Sequence, residues 1–179
     1  MVELTTRPVT KARWGDFEAL FESKGAPSYC WCMPFRPIEN RVDATNADRK
    51  RALKGFVERR VPIGLLGYSD GEPVAWCSVA PRTSFVQLSK EQDDAEEGVW
   101  SVTCFFIRRT YRKQGLSGEM LDAAIAYVRK RGAKVLESYP VDPDSPSYRF
   151  MGFVKLFRSR GFTETGRAGT RRHVMRLAL

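Results

Sequence analysis

The chain has 179 residues, with 30 Lys and Arg against 21 Asp and Glu, a net charge of +9. That length suits one domain with a substantial core and no need of disulfides, and the charge favours polyanionic partners. No apolar signal core and no stretch near the roughly 20 residues needed to span a bilayer occurs, so a cytoplasmic protein with reduced thiols and no membrane contact is expected.

Leu4, Pro8 and Val9 suggest a short first strand. Thr10 is placed to cap a helix whose Trp14, Phe17, Leu20 and Phe21 share one face. A loop rich in Pro and aromatic residues follows (KGAPSYCWCMPFRPIEN), then a second helix from Asn46. Leu65 to Tyr68 and Pro73 to Pro81 read as a hairpin about the turn Ser69-Asp70-Gly71-Glu72. An acidic connector, residues 82 to 98, leads to the β-branched and aromatic run VWSVTCFFI at 99–107, too continuous for a half-exposed edge and so a central strand. Leu116, Met120, Leu121, Ala124, Ile125 and Val128 then follow helical spacing, and Arg131-Gly132 ends that helix. Lys134 to Val141 is a further strand, whose link through the helix predicts a right-handed parallel crossover. A loop bounded by Pro140, Pro143 and Pro146, a short helix from Phe150 to Arg158, and strands at 162–165 and 173–179 about the turn GRAGTRR close the chain.

Chemistry concentrates in the strand, basic turn and helix at 99–131. Backbone N–H groups at a helix start, with no side chain on Gly115 or Gly118 to block approach, make a seat for phosphate. The turn has neither the GxGxxG of dinucleotide folds nor the GxxxxGK[ST] of P-loops. Basic residues are otherwise dispersed in short clusters (49–51, 58–60, 108–113, 129–131, 171–172) rather than in a nucleic-acid motif, so nucleic acid is not the expected partner. Cys30, Cys32, Cys77 and Cys104 lack paired CxxC spacing, which argues against a metal.

The string Ile107-x-x-x-Tyr111-Arg112-x-x-Gly115-Leu116-Ser117-x-x-Met120-Leu121 resembles the acetyl-CoA motif of the GNAT superfamily of N-acetyltransferases, with Ser117 in place of the usual last Gly or Ala. Leu156-Phe157-Arg158-Ser159-Arg160-Gly161-Phe162 resembles the family's late LYxxxGF segment, and the element order also matches; the first 60 residues follow only in outline. The resemblance implies an α/β (α+β) acyltransferase fold, a mixed sheet of six or seven strands with about four helices. It implies one domain over 1–179, with 1–60 on the acceptor side and 99–131 as the cofactor core, existing as monomer or homodimer. It also implies acetyl-CoA as cosubstrate, with no metal. Backbone of Phe105, Phe106 and Ile107 would pair with the pantetheine arm, and Arg112, Lys113, Gln114, Gly115, Leu116, Ser117 and Gly118 would hold the pyrophosphate. The acceptor would be an amine of a small molecule or peptide.

Acetyl transfer needs a neutral amine, donors that polarise the thioester carbonyl, and a proton for the departing thiolate. In the family a tyrosine of LYxxxGF commonly supplies that proton. Phe157 stands there and cannot, which leaves a CoA-binding module without efficient transfer as the alternative reading. Tyr148 is the preferred replacement acid, ahead of Tyr139 and Ser147, with simple packing as the competing role. Glu137 interrupts the apolar VLESYPV strand and is the preferred base, ahead of Glu96, Glu97 and Asp142; facing solvent or pairing with an arginine is its competing role. In residues 28–36, similar to a CWCM segment of uncharacterised bacterial GNAT-like proteins, Tyr29, Trp31 and Phe35 could wall an acceptor pocket, with Arg36 meeting an acidic group. Core packing and cysteine chemistry stay open for that segment, the latter weakened because the single imidazole, His173, lies far along the chain. Trp76, Ser78 and Trp100 are further candidates for the cleft.

Overall fold

The protein is described by a computed structural model covering residues 3–88 and 96–179. Seven strands form one sheet: β1 (Thr5–Pro8), β2 (Leu65–Ser69), β3 (Glu72–Pro81), β4 (Val99–Ile107), β5 (Val135–Ser138), β6 (Thr163–Ala168) and β7 (Arg172–Ala178), in the order β1-β2-β3-β4-β5-β7-β6. Helices α1 (Trp14–Glu22) and α2 (Asn46–Glu58) precede β2, α3 (Leu116–Lys130) joins β4 to β5, and α4 (Val154–Arg158) precedes β6. All neighbouring strands are antiparallel except β4 and β5, as a crossover through a helix requires.

The two faces of the sheet carry different cores. Leu116, Met120, Leu121, Ala124 and Val128 of α3 pack with Leu65, Cys77, Val79, Trp100 and Val102, and Phe157 and Phe162 join this side. On the other side Trp14, Phe17, Leu20 and Phe21 of α1 meet Leu53 and Val57 of α2 and the strand residues Leu66, Trp76 and Phe106. The four α1 residues are all at most 7% exposed, as their helical spacing predicts.

Local departures from the sequence reading have local causes. Thr10 makes no side-chain cap; a 3-10 turn at Lys11–Arg13 leads into α1 instead. The second helix does carry a capping box, Asp48 N–H donating to Thr45 Oγ1 (3.2 Å) and Thr45 N–H to Asp48 Oδ2 (2.9 Å). β5 stops at Ser138, ahead of Pro140, and Val141 keeps only isolated bridges to Phe153 and Arg172. The expected helix at 150–158 is broken at Gly152, whose φ of +87° leaves a 3-10 turn at Arg149–Met151 and five residues of α4. β6 runs on through Ala168, so the expected turn contracts. Residues 89–95 of the acidic connector lie outside the described residues; Glu96 and Glu97 lie within them.

Two irregularities in β4 position the site. Its pairing with β5 ends at Val102–Ser138, while β4 itself continues to Ile107, so the sheet splits at this point. Against β3 the register passes from Ser78–Cys104 to Val79–Val102, leaving Thr103 as the extra residue of a bulge. Bulges re-aim side chains, and here Thr103 turns its hydroxyl onto Ser78.

Candidate active site

A cleft of about 1020 Å³ opens where β4 and β5 part. That volume is at the top of the roughly 300–1,000 Å³ range of ligand sites and suits a long ligand. One wall is the end of β4, Thr103 to Ile107, on the edge that β5 no longer covers. The floor at one end is the turn between β4 and α3, and the facing wall is Arg149, Phe150, Gly152, Phe153 and Leu156.

The turn is closed by its own arginine. Arg112 Nε donates to the Ile107 carbonyl at 2.9 Å, tying the turn to the end of β4. Gly115 adopts φ +82° at the N-cap of α3, and the N–H groups of Gly118 and Glu119 return to its carbonyl at 2.8 and 3.4 Å. The preceding N–H groups of a helix start have no intrahelical acceptor. A Cβ on Gly115 would meet nothing within 4 Å, so glycine is needed there for its backbone conformation and not for space. Lys113, at φ +64°, and Arg112 bring cations to this end. Arg160 adds a third: Asp122 grips it through Nε (3.1 Å) and Nη2 (3.2 Å), and its Nη2 lies 2.5 Å from where a Cβ on Gly118 would stand. Arg160 is not among the cofactor residues expected from the sequence, since only the fold brings the residue before Gly161 to the start of α3.

Of the predicted cofactor residues, Phe105, Phe106, Ile107, Arg112, Lys113, Gly115, Leu116, Ser117 and Gly118 line this one cleft. Gln114 does not; its side-chain amide donates to the Thr110 carbonyl at 3.4 Å.

The proposed catalytic pair is not brought to the cleft. Glu137 is 4% exposed and lies across from Ser101 and Arg176, below the split. Arg176 Nε donates to its Oε2 at 2.7 Å, Arg82 Nη1 is 3.6 Å from the same oxygen, and the Tyr139 hydroxyl donates to Oε1. Arg176 and Arg82 are shared with Glu96 (2.7 and 3.6 Å), so Glu137 belongs to a charge cluster that fastens β5, β7 and the chain before β4. Burial first, and the neighbouring Glu137 carboxylate second, push the Tyr139 phenol far above its ordinary range. Tyr148 sits outside the lining, at φ +60°, its ring 5.0 Å from the Arg172 guanidinium and 6.2 Å from Phe150. Ser147 Oγ accepts from Arg171, and Asp142 and Glu164 flank His173 at 3.0 and 2.9 Å. Among the described residues, no Asp, Glu or His lines the cleft.

The CWCM segment divides. Tyr29, 69% exposed, and Phe35 line the cleft; Trp31 does not, because its ring stacks in the core on Phe21 at 5.6 Å. Among the described residues, Arg36 meets no acidic group. Its guanidinium is fully buried between the Phe85 and Phe56 rings (4.5 and 5.8 Å), with Nη2 donating to the Ile63 carbonyl (2.9 Å) and Ser78 Oγ (3.2 Å). Cys30, Cys32 and Cys104 all open onto the cleft, a convergence of residues separated by more than 70 positions. Burial raises the Cys30 thiol to about 11. Trp76 and Trp100 lie in the two cores and Ser78 beneath Arg36, all outside the lining. Among the described residues, no group of three His, Cys, Asp or Glu could hold a metal, and no helix is long and apolar enough to cross a membrane.

Comparison with known proteins places this architecture. The sequence matches the family described as Acetyltransferase (GNAT) over residues 14–162. No curated protein sequence matches the chain. Among solved structures, a ribosomal-protein-alanine N-acetyltransferase from Brucella melitensis superposes with a TM-score of 0.60 at 18% identity, covering 98% of this chain and 100% of that one. The PaiA N-acetyltransferase from Thermoplasma acidophilum, in complex with coenzyme A, gives 0.60 at 11% identity over 99% of each chain. A candidate acetyltransferase from Salmonella typhimurium, solved with its cofactor acetyl-CoA, gives 0.59 at 16% identity, covering 99% of this chain and 94% of that one. At such identities the likenesses speak for the fold alone. With the family match spanning most of its length, the chain belongs to the GNAT family of acetyltransferases.

Proposed function

We propose that the protein transfers the acetyl group of acetyl-CoA to an amine of a small molecule or peptide. The observation that carries this reading is the continuity of one cleft from the unpaired edge of β4 to the Gly115 turn. The residues fit the cosubstrate: a helix start and the cations Arg112, Lys113 and Arg160 suit a pyrophosphate, and the backbone of β4 from Phe105 on, along the edge that β5 does not cover, suits the amides of a pantetheine arm. Bound there, the cosubstrate supplies an activated acetyl thioester.

The chain's own part is to orient that thioester and exclude water. The bulge leaves Thr103 out of the β3 register at the cleft wall, and a backbone N–H there would serve to donate to a thioester carbonyl, where negative charge develops during attack. Residues 24–40, through Tyr29 and Phe35, form the side from which an acceptor approaches. With no carboxylate or imidazole in the lining among the described residues, the amine proton passes to water or to a group at the cysteine end of the cleft. Phe157 is fully buried against Phe105 and Phe162, so the thiol departs without a phenol at that position; an ordinary thiol pKa of about 8.5 makes this tolerable.

Calorimetry with acetyl-CoA, followed by thiol release over a panel of amines, tests the proposal. Saturable binding together with acceptor-dependent thiol release is the expected result. No binding overturns it, and binding without release on any amine favours a CoA-binding module.

A further inference from the structure

Arg36 lies behind the cleft, not in it. It is fully buried and outside the lining, yet it bears on three segments of chain that do line the cleft. Its neighbour Phe35 stands in the lining, and the Val86 N–H donates to the Phe35 carbonyl at 2.7 Å. Its guanidinium lies 4.5 Å from the ring centre of Phe85, a second lining residue. Nη2 donates to the Ile63 carbonyl (2.9 Å) and to Ser78 Oγ (3.2 Å), and the Thr103 hydroxyl donates to the same Ser78 oxygen at 2.9 Å. Thr103 is the third lining residue and the extra residue of the β4 bulge, so no strand partner on β3 fixes its orientation. The hydroxyl tether to Ser78 does so instead. Stability alone does not account for a cation in this place. Nε and Nη1 are buried with no hydrogen-bond partner among the described residues, and a buried donor left unpaired costs stability. An apolar side chain of similar volume often fills such a slot equally well. What a planar guanidinium adds is direction, donors held at fixed angles between the Phe56 and Phe85 rings.

We propose that Arg36 is a positioning residue for acetyl transfer: from outside the cleft it sets Phe35 and Phe85 and, through Ser78, the Thr103 bulge beside the thioester. The role rests on the transferase reading above. Phe35 belongs to the side from which the acceptor approaches, and Thr103 to the strand that carries the thioester, so one buried side chain fixes the placement of amine against carbonyl. A misplacement of about 1 Å costs up to about a hundred-fold in rate. Buried polar networks of this kind hold one arrangement against its near neighbours. Arg36 touches neither reactant and moves no proton; it acts only through the four residues named.

Steady-state kinetics and calorimetry on the full-length protein test this role. Arg36→Met keeps the stem between Phe56 and Phe85 and should leave the acetyl-CoA Kd within about two-fold of wild type, while kcat falls by about ten-fold or more and the acceptor KM rises. Ser78→Ala cuts the link to Thr103 but leaves Arg36 its Ile63 carbonyl and both rings, so kcat should fall by about ten-fold with the acceptor KM unchanged. Because both residues reach Thr103 through one oxygen, the double variant should lose no more kcat than Arg36→Met alone. Losses of kcat that multiply, or a kcat within about two-fold of wild type in either single variant, overturn the role. So does an acetyl-CoA Kd weakened by about ten-fold or more, which would mean that the whole cleft has shifted. If Arg36→Met does not fold by circular dichroism, Ser78→Ala decides by the same limits. Wild-type protein that binds acetyl-CoA but releases thiol with no amine overturns the transferase reading and the role with it. Wild-type transfer alongside unaffected variants overturns the role alone.

Discussion

Glu137→Gln separates a catalytic from a structural carboxylate. The substitution keeps the side chain's size and one carbonyl oxygen but removes its charge from a site 4% exposed, where Arg176 donates at 2.7 Å and Arg82 stands 3.6 Å away. Removing one partner of a buried ion pair costs about 3–5 kcal/mol. Both arginines retain Glu96, so the loss should fall at the low end, about 3 kcal/mol. For a chain of this size each kcal/mol moves the melting temperature by about 2–4 °C, which gives a fall of roughly 6–12 °C. Thermal unfolding followed by circular dichroism reads this shift. Kinetics well below the transition should show kcat and the acetyl-CoA Kd within about two-fold of wild type, because the carboxylate does not reach the cleft lining. An unchanged melting temperature with a hundred-fold loss of kcat, the scale of a lost general base, would refute the reasoning and return Glu137 to the chemistry.

Gly115→Ala forces a residue with a Cβ into φ +82°, a strain of about 1–2 kcal/mol with no clash to add to it. If the turn relaxes away from that conformation, acetyl-CoA binding measured by calorimetry should weaken by about ten-fold; unchanged affinity and stability together would deny the turn its role. Phe35→Ala should raise KM for the acceptor while leaving the acetyl-CoA Kd unaltered, and the reverse pattern would put the acceptor elsewhere. The acid limb of stability should involve Glu96. The hydrogen bond from Arg176 holds its folded-state pKa below the ordinary value, so its contribution is present at neutral pH and is lost as pH falls through that lowered value, below about pH 4. The melting-temperature gap between wild type and Glu96→Gln should therefore close in acid, and it should narrow with added salt because the pair is partly exposed. A gap that persists below that pH would show another origin.

What was legible in the sequence follows from range. The continuous β-branched and aromatic run VWSVTCFFI and the helical spacing of Leu116 to Val128 depend on neighbours within a few residues, and those elements stand where they were expected. The glycine turn is equally local, because φ > 0 at Gly115 is a property of one residue. Glu137 and Arg36 are different. Each is a charged residue amid apolar ones, a pattern that fits an active-site group and a buried ion alike. The distinction rests on Arg176 in one case and on Phe56, Phe85 and Ser78 in the other, 20 to 49 positions away.

The same contrast separates structure from chemistry within the molecule. Two arginines are almost wholly withdrawn from water, Arg36 at 0% and Arg82 at 2% exposure. Desolvating such a charge costs several kcal/mol unless an opposite charge answers it. Arg82 has Glu96 and Glu137 at 3.6 Å, and that cluster fastens strands together below the split. Arg36 has two aromatic faces, a carbonyl and a hydroxyl, which solvate a guanidinium without neutralising it. Among the described residues no carboxylate answers it. Replacing such a buried charge by an apolar side chain of similar length is often neutral, so Arg36→Met, which keeps the stem between Phe56 and Phe85, should move the melting temperature by less than about 4 °C. A fall of about 10 °C or more in thermal unfolding would mean that the carbonyl and hydroxyl contacts of the guanidinium outweigh the cost of withdrawing its charge from water.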